Sequence, residues 1–166
     1  MGGFHSSLTY SGVHTVRKVT AATFTVTADM SGDVLIVDRT SGAGNSCTIT
    51  LPSTTTTEAG FQITIINKTQ MNVGTHPVSD ADGVLTIAQE SDGNDILYGG
   101  IWGASSADNR AADFFGNSSA SKDIVLTGVA GGAGSWFRLT LIAINKWSII
   151  GTTVRTGAAA PATPFA

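Results

Sequence analysis

The chain has 166 residues, a formal net charge of −3 and a single cysteine, and only 13% of its residues are charged. The length fits one domain, the acidic balance argues against nucleic acid as the main partner, and one cysteine excludes an intrachain disulfide. Without an apolar run of roughly 18 residues or a signal-peptide pattern, we predict no membrane partner and no export through a cleaved leader.

Residues 1–19 are predicted to form an N-terminal arm. Apolar side chains, among them Phe4 and Tyr10, are scattered here between Gly, Ser and His, and the adjacent cations Arg17 and Lys18 follow. The segment is too apolar for a fully solvated tail and too irregular for a regular strand. We therefore expect it to lie on a neighbouring subunit or along the edge of a sheet.

A strand pattern begins near Thr20. Polar and apolar side chains alternate along several runs that are rich in β-branched residues, as a half-buried strand requires. Gly, Asp, Asn, Ser and Pro separate the runs and supply the turns. The predicted strands in this part of the chain are 23–27, 33–38, 47–51, 61–67, 84–88 and 96–98.

Residues 99–121 interrupt this pattern and are predicted to be an irregular insertion. The segment from 107 to 115 has the composition of one or two helical turns. Long irregular segments inside a compact domain are often functional. Trp102, in this insertion, is therefore the better candidate among the three tryptophans for a contact surface, with core packing as the alternative.

The strand pattern resumes after the insertion and ends in a hairpin. Strands are predicted at 123–127, 135–144 and 147–151, with a tight turn at Asn145-Lys146 between the last two. Trp136 and Trp147 flank this apolar hairpin and are predicted to lie in the core. Residues 152–166 form a tail rich in Ala, Pro and Thr.

These elements predict an all-β chain without a long helix. The short spacing of strands and turns favours an antiparallel β-sandwich, a jelly roll or another Greek-key form, with extended arms at both ends. The sandwich domain is assigned to residues 20–151, the arm to 1–19 and the tail to 152–166.

The sequence shows no catalytic constellation. No nucleophile has an evident base beside it, and two of the three histidines lie in the N-terminal arm. Two acidic loops, one with Asp80 and Asp82 and one with Asp92 and Asp95, lack the spacing of a calcium loop and are interpreted as turns. We predict no enzymatic activity, no cofactor and no metal site.

Several runs together resemble a recurring β module of tailed-bacteriophage virion proteins. They are Val34–Asp38, Thr48–Pro52, Ala59-Gly60 with Ile63–Asn67, and Trp147–Gly151. Similar modules occur in small capsid decoration (cement) proteins and in the tips of tail fibres and tail spikes. The resemblance spans roughly residues 20–151 and implies a structural subunit, often trimeric, on the surface of a particle.

The leading hypothesis is a capsid decoration protein. It would be made in the host cytoplasm and would bind the major capsid protein on the outer surface of the virion as a homotrimer. The resemblance and the apolar arms together predict partner contacts through Phe4, Tyr10, Arg17 and Lys18 of the arm, or through Arg155 and Phe165 of the tail. The alternative is a tail-fibre adhesin that contacts the host through Trp102, Phe114 and Phe115.

Overall fold

The computed structural model describes residues 14–39, 46–68, 84–89, 95–105, 113–117, 123–126, 132–155 and 165. These ranges contain a single-turn 3-10 helix at Ala28–Met30 and eleven strands. The strands are β1 (Val16–Val19), β2 (Thr23–Thr25), β3 (Val34–Val37), β4 (Cys47–Thr50), β5 (Gln62–Asn67), β6 (Leu85–Ala88), β7 (Ile96–Ser105), β8 (Asp113–Asn117), β9 (Ile124–Leu126), β10 (Trp136–Ala143) and β11 (Lys146–Arg155).

The first six strands alternate between two sheets. β1, β3 and β5 pair in parallel in a large sheet, and β2, β4 and β6 pair in parallel in a small one. Each consecutive pair of strands thus forms one coil, and three coils stack on each other, as in a β-solenoid. The sheet orders are β1-β3-β5-β10-β11-β7-β8 and β2-β4-β6-β9.

One hydrophobic core lies between the two sheets. The inward positions of β3, Leu35 and Val37, and of β5, Ile63 and Ile65, are fully buried. They belong to the same cluster as Ile49 and the other inward residues of the small sheet. Alternation along each strand places every second side chain in this core, which is why the coils stack in register.

The second half of the chain extends the large sheet and covers one end of the coils. β10 pairs antiparallel with β5 and, through a turn at Asn145 with φ of 60°, with β11. β7 then pairs in parallel with β11, and β8 antiparallel with β7. In the small sheet β9 pairs antiparallel with β6. The last coil is therefore capped in both sheets.

A glycine permits the close parallel pairing of β7 with β11. Gly99 has φ of +120°, and a Cβ at this position would collide with the carbonyl oxygen of Ile149. A side chain here would be both strained and sterically excluded. Because glycine at position 99 allows this close approach, β7 continues through Gly99 and Gly100 and is ten residues long.

The structure confirms the prediction of an all-β chain and corrects that of antiparallel pairing. Five of the nine strand pairings among the described residues are parallel, so the sheets are mixed and do not form a clear jelly roll. Alternation within a strand is the same for either direction of pairing, so it could not distinguish them. The helical turns predicted for 107–115 are also wrong where the structure describes them, because 113–115 lie in β8.

Candidate binding surfaces

A continuous row of side chains crosses the outer face of the large sheet. The registers of all six neighbouring pairs align one residue from each of the seven strands in this row. In sheet order the row is Lys18, Ile36, Ile66, Trp136, Thr152, Trp102 and Phe114. We call it the outer row; its first half is aliphatic and its second half is aromatic.

Two aromatic rings meet at the β8 end of the outer row. Trp102 and Phe114 are 50% and 56% exposed, their ring centroids lie 5.0 Å apart and their planes are inclined by 51°. Such a pair is energetically favourable in itself. The exposure of both rings leaves their outer faces available to a ligand.

The neighbouring part of the outer face carries a third exposed ring and a cation. Trp136 is 37% exposed and lies across from Thr152, and Arg138 is exposed two residues further along β10, opposite Ile150. No ion pair or hydrogen bond of the Arg138 side chain occurs among the described residues. The prediction that Trp136 belongs to the core is therefore wrong, whereas Trp147 is fully buried as predicted.

The opposite end of the outer face holds a cluster of three charges. Lys18 and Lys68 each place Nζ 2.8 Å from the same oxygen of Asp38. Hydrogen bonds from Lys18 and then Lys68 lower the pKa of Asp38 to about 2. The carboxylate thus links the ends of β1, β3 and β5, and two cations share one anion.

The first coil presents open strand edges in both sheets. Along β1, the oxygens of Thr15, just before the strand, and of Val19 accept hydrogen bonds from the amides of Val34 and Asp38, so the backbone groups of Val16 and Lys18 face away from the sheet. Ala22 and Val26, which flank β2, bond to β4 in the same way, and this turns the backbone groups of Thr23 and Thr25 outward. Among the described residues no strand covers either edge.

Arg17 ties β1 to the buried carboxylate of Asp33, just before β3. Its Nε lies 2.6 Å from Oδ2 of Asp33, a residue that is only 4% exposed and whose Oδ1 accepts from the Thr15 amide at 2.9 Å. Burial raises the pKa of Asp33, but the hydrogen bonds from Arg17 and Thr15 outweigh it and leave that pKa below its usual value. The guanidinium of Arg17, which was predicted to contact a partner protein, thus forms an ion pair within the chain.

The structure separates the remaining predicted contact residues. Phe165 is 9% exposed, forms an isolated bridge with Ile124 and belongs to the core cluster. Only the backbone of Phe115 in β8 and of Arg155 in β11 is described. Phe4 and Tyr10 lie outside the described residues. Of the predicted set, the structure brings Trp102 into contact with Phe114, whereas Arg17 and Lys18 are neighbours in β1 that pair with different carboxylates, Asp33 and Asp38.

A buried polar network lies at the hairpin turn. Asp95 is 1% exposed and accepts hydrogen bonds from Trp147 Nε1 at 3.1 Å and from Thr54 Oγ1 at 3.0 Å. Thr54 Oγ1 also accepts from the Asn145 amide at 3.1 Å. These bonds tie the loop after β4 to the β10–β11 turn, and they account for a buried carboxylate without assigning it any chemistry.

The described ranges hold no group of three or more His, Cys, Asp or Glu side chains that could ligate a metal. Burial raises the pKa of the Cys47 thiol, which keeps it in the unreactive protonated form. No helix in the described part of the chain has the length and apolar character needed to cross a membrane.

Two residues of the aromatic region, Trp136 and Arg138, were not predicted as surface contacts. A signal for them exists, because Trp136, Arg138 and Thr140 share one face of β10, whereas Phe137 and Leu139 share the other. The polar members of the first set mark it as the outer face. The strands that pair with β10 cannot be predicted from the alternation of its residues, because pairing depends on the arrangement of the whole sheet.

Comparison with known proteins gives no assignment. No protein-family model matches the chain, and no curated protein matches it significantly.

Proposed function

We propose that this chain is a structural virion protein, and not an enzyme, that decorates and stabilises a bacteriophage capsid by binding the lattice of the major capsid protein. The observation that carries this proposal is the first coil, where β1 and β2 have edges at the same end of both sheets that no other described strand covers. The resemblance to small β-rich virion proteins supplies the identity of the partner.

The two ends of the coil stack are unlike each other. β10 and β9 cover the last coil in the large and the small sheet, whereas no described strand covers the first coil. Exposed edges of stacked coils promote association unless they are capped. A strand of a partner that adds to β1 or β2 would complete the sheet and gain backbone hydrogen bonds.

The cations beside this edge have intramolecular partners. Arg17 pairs with Asp33, whereas Lys18 shares the carboxylate of Asp38 with Lys68, so this cluster keeps one excess positive charge. Because one short strand gives a weak contact, stable decoration requires many copies on one shell, and a homotrimer would multiply the contacts of each unit.

The copy number of the chain in purified particles tests the proposal. Quantitative mass spectrometry against the major capsid protein should give hundreds of copies per particle for a protein that covers a shell with many weak contacts. A handful of copies would identify a tail component, and complete absence from the particle would overturn the virion assignment.

A proline at the open edge tests the mode of binding. Val16→Pro removes an outward amide of β1 but leaves the hydrogen bonds that β1 makes to β3. We expect this variant to fold and to occupy particles that lack the wild-type protein at a level reduced about tenfold, the equivalent of one or two lost hydrogen bonds. Val16→Thr retains the amide and the β-branched shape, and its occupancy should match that of the wild type; equal occupancy of both variants would contradict strand addition at β1.

A second candidate function is a tail-fibre adhesin. The exposed Trp102–Phe114 pair favours it, because two paired rings on an outer sheet face fit a host-contact surface. Reduced adsorption to the host after Trp102→Ala, at unchanged stability, would support this function.

A further inference from the structure

We propose that the aromatic half of the outer face binds an acidic polysaccharide, with pyranose rings stacked on Trp102–Phe114 and Trp136 and a carboxylate of the sugar chain bound by Arg138. This proposal deepens the adhesin candidate by naming the class of its ligand. It concerns strands β10, β11, β7 and β8 and is independent of strand addition at β1.

The spacing of the strand positions that carry the rings fits alternate units of an extended sugar chain. Trp136 and Trp102 occupy the same row on β10 and β7, with Thr152 of β11 between them. Two inter-strand steps separate the backbone positions of the two tryptophans by about 10 Å. The apolar faces of pyranose rings stack on indole and phenyl rings, and the Thr152 hydroxyl lies where it can bond to a sugar hydroxyl.

The charge of this face is opposite to that of the chain. The chain carries a net −3, yet the described outer face holds Lys18, Lys68, Arg138 and Lys146 against the single carboxylate of Asp38. Arg138 is the cation nearest the rings by register, one row from Trp136. A guanidinium binds a carboxylate through two parallel hydrogen bonds, which favours an acidic over a neutral sugar.

A single-stranded nucleic acid also combines rings with negative charge, but this face suits it less well. Such ligands carry a phosphate on every unit and are bound by a row of cations along the chain. Here one arginine accompanies three rings, and the lysines at the far end share Asp38. A polymer with few charges per unit matches this ratio of one arginine to three aromatic rings better.

Titration with defined oligomers tests the proposal. The full-length chain is titrated with hexagalacturonate, with neutral cellohexaose and with a twelve-nucleotide oligo(dT), and binding is followed by calorimetry. We expect hexagalacturonate to bind, cellohexaose to bind at least about tenfold more weakly, and oligo(dT) not to compete with hexagalacturonate.

Variants of exposed residues locate the site. Trp102→Ala and Arg138→Gln should each weaken hexagalacturonate binding about tenfold, the equivalent of one stacked ring or one charged contact. Lys146→Gln removes a cation from the same face outside the aromatic rows and should leave binding unchanged. Because all three side chains are exposed, their unfolding midpoints should match that of the wild type.

Each other outcome overturns the proposal in a defined way. Absence of hexagalacturonate binding removes the assigned ligand class, equal binding of cellohexaose removes the role of Arg138, and tighter binding of oligo(dT) assigns the face to nucleic acid. Host adsorption separates a wrong ligand assignment from a wrong function. If Trp102→Ala abolishes adsorption although hexagalacturonate does not bind, the adhesin function holds and only the ligand is wrong.

Discussion

The coiled half of the chain, β1 to β6, and the half from β7 to β11 share one core but differ in their outer faces. On the coils the outer row consists of half-buried aliphatic side chains and a lysine that is paired with Asp38. On the second half it carries exposed rings beside Arg138. The same alternation thus builds the core in both halves, whereas the residues on the other face decide where a ligand can bind.

The largest expected effect on stability distinguishes the two tryptophans of the hairpin, Trp147 and Trp136. Trp147→Ala should destabilise the fold by about 3–5 kcal/mol, because it removes a fully buried ring that packs edge-on against Phe61 and donates to Asp95. Trp136→Ala, on the outer face, should change the free energy of unfolding by less than about 1 kcal/mol. Chemical denaturation of both variants measures the difference, and comparable losses would show that the outer ring also belongs to the core.

Two threonines of one loop give a smaller, matched comparison. Thr54→Val should cost about 1–3 kcal/mol, because it removes a buried hydroxyl that bonds to Asp95 and to the Asn145 amide. Thr57 is also buried, but its hydroxyl has no hydrogen-bond partner among the described residues, so Thr57→Val should be neutral or stabilising. Equal effects of the two substitutions in urea unfolding would contradict the role of the network that joins this loop to the hairpin.

The strands themselves were readable from the sequence, but their arrangement was not. The predicted runs 33–38, 47–51 and 61–67 contain β3, β4 and β5 almost residue for residue, because alternation and turn residues are local signals. The direction of pairing depends on which sheet each connection leads to, and that is a property of the whole chain. The predicted strand ends at Tyr98, seven residues before the end of β7, because two consecutive glycines normally interrupt a strand.

The candidate site was predictable to a similar extent. Trp102 and Phe114 were identified as exposed aromatic anchors, and the structure brings them into contact. Their alignment with Trp136 across β11 requires the registers of three strand pairs, so no local pattern reveals it. The bond between Asp95 and Trp147 joins residues 52 positions apart and was equally invisible in the sequence.

The smallest effect concerns the ionic cluster at the end of the coils. Because the pKa of Asp38 is lowered from 3.8 to about 2 in the folded chain, its contribution to stability is present above pH 3.8 and is lost as the pH falls through about 2. Lys18 and Lys68 share this effect, so Lys68→Met should raise the pKa of Asp38 only part of the way and Lys18→Met/Lys68→Met should return it close to 3.8.

An NMR titration of the Asp38 carboxyl carbon measures these values directly. Lys146→Met, a change of a lysine on the same face that has no ion pair among the described residues, should leave the pKa at about 2. Full recovery to 3.8 in the Lys68 variant alone would show that Lys18 contributes nothing. In that case β1 would be held to the coils by its backbone bonds and by Arg17–Asp33 alone, and the edge offered to a partner would be less firmly fixed.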